Sequence, residues 1–246
     1  MSLNWVFRQV IMGMPARALF PMHVVGRENL PKEGPFIIAA GPHRTELESV
    51  LLASNLAQYE IHFFAKASYW EKSFMHRWFM NGTGQIPINQ SGGRGVEEQI
   101  NSGADVLRNG GIIAIYPEGT RGGDGLLHKG HTGVGRTAIL AGNVPIVPIG
   151  MLGMEKLNPP GGGIHPGRGT INIGKPIYPL SHASDEHLPL LAQVLNLLEH
   201  NPRVMKPVIN AHARVLTNIL MKEISRLSTA PYSDDYLKIG GMSERG

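Results

Sequence analysis

The chemistry-bearing string of this chain is GPHRTELE at residues 41–48, which directly follows the apolar run FIIAA at 36–40. A histidine changes protonation near neutral pH and can take a proton from a hydroxyl. A carboxylate five positions on, at Glu48, falls in the first turn of the helix expected after His43. From there it can reach back to the ring, fix its tautomer and stabilise the imidazolium, as the acid of a Ser-His-Asp triad does. With a substrate hydroxyl as nucleophile, no protein Ser or Cys is needed. Glu46 is a rival acid, nearer in sequence. The bland alternative is a surface-loop His43 beside a solvated Glu48. A second string, YPEGTRGG at 116–123, follows the β-forming run IIAI. Here Gly119 and its neighbours let backbone N–H groups approach an anion, Arg121 offers a fork for phosphate, and Glu118 can accept a hydroxyl. GGRG at 92–95 is also glycine-rich. The spacing fits neither the P-loop nor the dinucleotide fingerprint, and taken alone each string is equally a plain turn. The eleven histidines show no close metal-ligand spacing, so no metal site is expected.

These strings need a scaffold that ends strands beside one another. Strands are expected at 36–40, 61–65, 85–89, 112–116, 144–149 and 170–173, after a short extended piece beyond Pro21. Helical spacing occupies 46–56, 74–80, 96–107 and 132–141 between them. From residue 185 the pattern is helical in two pieces, broken by Pro202 and Pro207. Strands alternating with helices predict an α/β fold, a mainly parallel central sheet flanked by helices, whose ligands sit at strand C-terminal ends. The first residues add an amphipathic helical appendage carrying Phe7, Val10, Ile11 and Met14 at helical spacing, which suits either a membrane interface or packing on the domain. The expected organisation is an N-terminal amphipathic segment over 1–24, one catalytic domain over 25–232 and a polar tail over 233–246.

Composition narrows the function classes. The chain has 246 residues, is 42% hydrophobic and 17% charged, which argues against disorder. It has no cysteine, so disulfides, thiolate nucleophiles and cysteine metal sites are excluded. The net charge of +4 suits an anionic membrane surface or a phosphorylated substrate. The basic residues are scattered, so nucleic acid is not expected as a partner. The longest uncharged run, 137–154, contains Asn143, Pro145, Pro148 and Gly150 and reads as helix, turn and strand, not a membrane span. The N-terminus lacks a signal-peptide pattern.

Taken together, the strings resemble the glycerolipid acyltransferase family, which contains the 1-acylglycerol-3-phosphate acyltransferases. The likeness covers roughly residues 25–179, with its blocks in order: GRENLP at 26–31, PHRTELE at 42–48, FAK at 64–66, GQIPINQ at 84–90, YPEGTR at 116–121, KG at 129–130 and VPIVPI at 144–149. The resemblance implies that His43 and Glu48 are the catalytic pair. It also implies that Lys66, Gln90, Arg94, Glu118, Gly119, Thr120, Arg121 and Lys129 contact substrate. The reaction implied moves a fatty acyl group from acyl-CoA or an acyl carrier protein to a hydroxyl of a lysophosphatidate-like acceptor. No bound cofactor is required, and an N–H pair should stabilise the oxyanion. The implied location is cytoplasmic, peripheral on the inner face of the membrane. Three positions depart from the family pattern: Glu48 stands where Asp is usual, Gln90 where Arg is common, and Pro42 where Asn precedes the His. The neutral Gln90 supports an alternative acceptor without phosphate, such as a lyso-aminolipid or a specialised metabolite. The Glu48 and Pro42 departures support a lipid- or acyl-carrier-binding protein without turnover.

Overall fold

The computed structural model describes residues 13–45, 47–88, 92–159, 162–179 and 202–237. Seven strands form one sheet: β1 (Met22–Val25), β2 (Phe36–Gly41), β3 (Ile61–Lys66), β4 (Ile86–Ile88), β5 (Ile112–Ile115), β6 (Ile146–Leu152) and β7 (Gly169–Ile173). Their spatial order is β1-β7-β6-β2-β5-β3-β4. Every pairing is parallel except β6 with β7, which is antiparallel. Ile37 lies beside Ile113 on one flank of β2 and beside Ile146 on the other. The expected α/β architecture is therefore the observed one.

The central strand explains the layering. All six residues of β2 are buried, which is how a parallel strand covered on both faces should read. Side chains alternate across it. Phe36, Ile38 and Ala40 join Leu51, Leu52 and Phe63 in one core, while Ile37 and Ala39 join Val134, Leu216, Leu220 and Ile224 in the other. The first core is covered by α1 (Met14–Leu19) and α2 (Leu47–Asn55). Two short helices, α3 (Ser68–Glu71) and α4 (Phe74–Gly82), link β3 to β4. Helices α5 (Gly92–Arg108) and α6 (Gly133–Leu140) lie on the second face, and the four-residue α7 (Met154–Leu157) follows β6. The second face is closed by α8 (Pro202–Ser228), which runs so near β6 that a Cβ on Gly150 would collide with the Leu227 backbone.

One sequence expectation is corrected, and two expected boundaries fall on ordered structure. Helix α8 passes through Pro207 without breaking. Proline there removes one i→i−4 hydrogen bond, whereas Ile209, Ala213, Leu216, Leu220 and Ile224 of the same helix are buried against the sheet and α6. The boundary expected between residues 24 and 25 falls inside β1, and Ala16 and Phe20 of the preceding segment are part of the first core. Arg17 of α1 donates to the Ser54 carbonyl at 2.6 Å. Phe7, Val10 and Ile11 lie outside the described residues. The start of the expected polar tail is docked, since Ser233 N–H donates to the Leu127 carbonyl and Lys129 N–H to the Asp235 carbonyl. Among the described residues no helix is long and apolar enough to cross a membrane.

Candidate active site

Strand β2 ends at Gly41, and the chain turns there to put His43 at the C-terminal edge of the sheet. Thr45 then starts α2, its Oγ1 accepting the Leu47 N–H at 3.1 Å. Glu48 is in the first helical turn and folds back over the loop that precedes it. Its Oε2 lies 2.8 Å from His43 Nδ1. Its oxygens also accept Arg44 N–H at 2.9 and 3.1 Å and Thr45 N–H at 3.2 Å. Glu48 is 0% exposed. A carboxylate accepts, so it holds the Nδ1–H tautomer and leaves Nε2 able to take a proton. The longer glutamate bridges the span, its head fixed by two amides and one ring nitrogen.

The neighbouring strand supplies the rest. Tyr116 follows β5 and stacks on the His43 ring, with centroids 3.9 Å apart and planes 13° apart. Its hydroxyl meets Ser49 Oγ at 3.1 Å. Burial, and then the charge of Glu48, push the phenol above its ordinary value, so it stays neutral. Two residues on, Glu118 is 2% exposed. Its Oε2 accepts His43 N–H at 2.7 Å and its Oε1 accepts His128 N–H at 2.9 Å. Burial pushes this carboxyl up, and the His128 and His43 amides oppose that shift. Gly122 N–H donates to the His43 carbonyl at 2.9 Å. The glycine-rich loop thus holds the His43 backbone through both its N–H and its C=O.

That geometry shows how the glycine-rich loop is engaged. Glu118 points inward, with its two oxygens on the His43 and His128 amides. Gly119, at φ +73°, donates its N–H to the Tyr116 carbonyl, and Gly122 donates to the His43 carbonyl. Lys129 pairs with Asp234 at 3.2 Å and lies 5.6 Å from the Tyr236 ring, its charge engaged by the docked tail. Arg121 is exposed and Thr120 half-buried on the same loop as Glu118. Lys66 is exposed at the end of β3. Because β5 separates β2 from β3, strand spacing puts the Lys66 backbone about 10 Å from that of β2. Gln90 and Glu46 lie outside the described residues. Arg94 belongs to α5, and its side chain is also outside the described set.

Sequence reasoning missed Tyr116 as a ring partner, Ser49, Gly122 and the pair His128–Asp124, whose Nε2 and Oδ2 are 2.7 Å apart. Only the aromatic at 116, directly after a strand, carried a signal for any of them. The arrangement as a whole is a histidine with a fixed tautomer at the C-terminal edge of the sheet, which can act chemically as a general base.

Comparison with known proteins places this geometry. The family model described as Acyltransferase matches residues 21–152. The chain is similar to the chloroplastic 1-acyl-sn-glycerol-3-phosphate acyltransferase of Brassica napus, 27% identical over 74% of this chain and 54% of that protein. It is 30% identical to the 1-acyl-sn-glycerol-3-phosphate acyltransferase of Chlamydomonas reinhardtii over 67% of this chain and 49% of that protein. The Bacillus subtilis protein of the same name is 26% identical over 70% of this chain and 83% of its own length. This chain therefore spans about half the length of the plant and algal relatives. Among solved structures, the 1-acyl-sn-glycerophosphate acyltransferase of Thermotoga maritima superposes with a TM-score of 0.58, at 26% identity over 78% of each chain.

Proposed function

The chain belongs to the acyltransferase family, and on that premise we propose that it is an O-acyltransferase in which His43 is the general base. The single observation that carries this reading is the 2.8 Å contact between His43 Nδ1 and the buried Glu48 carboxylate. Nε2 takes the proton from an acceptor hydroxyl as its oxygen attacks the carbonyl of an acyl thioester. A C–O bond forms and the thioester carbonyl becomes a tetrahedral oxyanion. When that collapses, the C–S bond breaks, the thiolate leaves, and the proton held on Nε2 passes to sulfur. Glu48 stabilises the imidazolium in between. Glu118, Gly122 and Tyr116 keep the ring in place and do no proton transfer.

The acceptor we propose is 1-acylglycerol-3-phosphate or a close analogue, and the donor an acyl thioester of coenzyme A or of a carrier protein. The relatives' names support that choice of acceptor, as does the row of strand ends that brings exposed Lys66 and Arg121 to the same sheet edge as His43. An amphiphilic acceptor puts the protein at the surface of a membrane, and we propose the inner face. The test is an acceptor screen with a labelled acyl thioester, comparing lysophosphatidate with zwitterionic and uncharged lysolipids. Preference for lysophosphatidate is expected. Gln90→Arg should then lower its KM more than it changes kcat, because charge-assisted bonds are about twice as strong as neutral ones. Transfer only to acceptors without phosphate would replace the proposed acceptor; no transfer to any acceptor would overturn the reading.

A further inference from the structure

The most exposed large apolar side chain among the described residues is Phe74, 84% exposed, and Trp78 one turn later is 47% exposed. Residues four apart lie on one face of a helix, so α4 presents an aromatic face outward. A soluble surface rarely leaves two such rings side by side without use. Cations flank them. Lys66, Lys72 and Arg77 are exposed in this stretch, against Glu71 as its acidic residue. Arg77 falls on the Phe74–Trp78 side of α4 by helical spacing, and Lys72 Nζ sits 4.4 Å from the Tyr69 ring centroid. Aromatic rings ringed by cations match the chemistry of an anionic bilayer surface, where rings enter the headgroup layer and cations meet phosphates.

The place in the fold agrees. The two helices follow Lys66 directly, at the C-terminal end of β3 and so on the sheet edge that carries His43. Ala67 N–H donates to the Ile88 carbonyl at 2.9 Å and Trp70 Nε1–H to Asn81 Oδ1 at 2.8 Å. The first bond fixes the start of α3 to β4 and the second ties α3 to α4, so the aromatic face has a set orientation relative to the sheet edge. We propose that α3 and α4 form a docking surface for an anionic bilayer, which delivers an amphiphilic acceptor to the His43 edge. The delivery role rests on the acyltransferase reading; the docking itself does not.

The experiment measures partition of the full chain onto phosphatidylcholine vesicles with and without phosphatidylglycerol. Phe74→Ser/Trp78→Ser, checked for folding by circular dichroism, should weaken partition by about 10- to 100-fold, from the apolar area those rings would otherwise bury. Lys72→Gln/Arg77→Gln should mainly reduce the gain conferred by phosphatidylglycerol. A Trp5→Phe variant, which keeps Trp70 and its bond to Asn81, supplies a second readout: its emission should shift blue on vesicles and be quenched by brominated lipid, and the quenched component should be lost when Trp78→Phe is added. Acyl transfer to a short-chain lysolipid below its micelle concentration should be unchanged in the Phe74/Trp78 variant. Unaltered partition of that folded variant, or unquenched Trp78, overturns the proposal. Loss of transfer to monodisperse lysolipid overturns it too, since the rings would then line the acyl site. So does a wild-type dimer in sedimentation that the substitutions dissociate, which would assign the face to a second copy. If the chain transfers no acyl group at all while partition still depends on Phe74 and Trp78, the docking stands and the enzymatic reading falls.

Discussion

Replacing Glu48 by Gln isolates the property on which the site depends, because the two side chains share a shape and differ in one acceptor. The buried head of Glu48 faces His43 Nδ1 at 2.8 Å on one side and the amides of Arg44 and Thr45 at 2.9 and 3.2 Å on the other. A glutamine must turn its NH2 to one of these sides. Turned to the amides, it opposes two buried donors, each costing about 1–3 kcal/mol. Turned to the ring, it donates to Nδ1 and costs less. The second orientation therefore prevails, and it forces the proton onto Nε2, the atom that should receive one from the acceptor. The wrong tautomer should lower turnover by about 10²–10⁴-fold, equivalent to about 2.7–5.5 kcal/mol of barrier. Stability should fall by only about 1–3 kcal/mol, because the Gln NH2 also opposes the weaker 3.1 Å contact from Arg44. Glu48→Asp keeps the charge and should retain more activity than Glu48→Gln. The assay is single-turnover acyl transfer beside thermal unfolding, with Glu46→Gln as the control expected to be silent. A folded Glu48→Gln enzyme within about twofold of wild type would refute the orienting role.

Other perturbations test the frame around the ring. Glu118→Gln must oppose either His43 N–H or His128 N–H with an NH2, so the protein should lose about 1–3 kcal/mol in chemical denaturation and turn over more slowly; unchanged stability contradicts the clamp. His131 is held below its ordinary value of 6.5, first by burial and then by the Arg214 charge. Between that depressed value and 6.5 the unfolded chain binds more protons than the folded one, so this contribution to stability rises with pH through the window and is flat above it. His131→Asn should flatten the slope relative to wild type in urea titrations across that range, and an identical slope refutes the assignment.

Some of this was legible in the residues and some was not. The run FIIAA announced a strand buried on both faces, and the strings after it and after IIAI fell at neighbouring strand ends because parallel strands in one sheet finish on one edge. The reach from His43 to Glu48 is local, five residues around a helix start, so spacing could find it. The inward turn of Glu118 onto two amides was not legible in its glycine-rich string. Its two donors are at 43 and 128 in sequence; the β2–β5 pairing brings the first beside it, and the loop that follows brings back the second. The stack of Tyr116 on His43 has the same origin. Pro207 misled because proline's local cost is visible in sequence while the buried stripe of α8, which outweighs it, depends on what the helix packs against.

The central claim is that His43 is the base, and His43→Ala tests it most directly. With folding verified by circular dichroism and thermal unfolding, transfer from a labelled acyl thioester to the best acceptor of the screen is followed in single turnover. A loss of about 10²–10⁴-fold is predicted. A folded His43→Ala enzyme that transfers at the wild-type rate would contradict it.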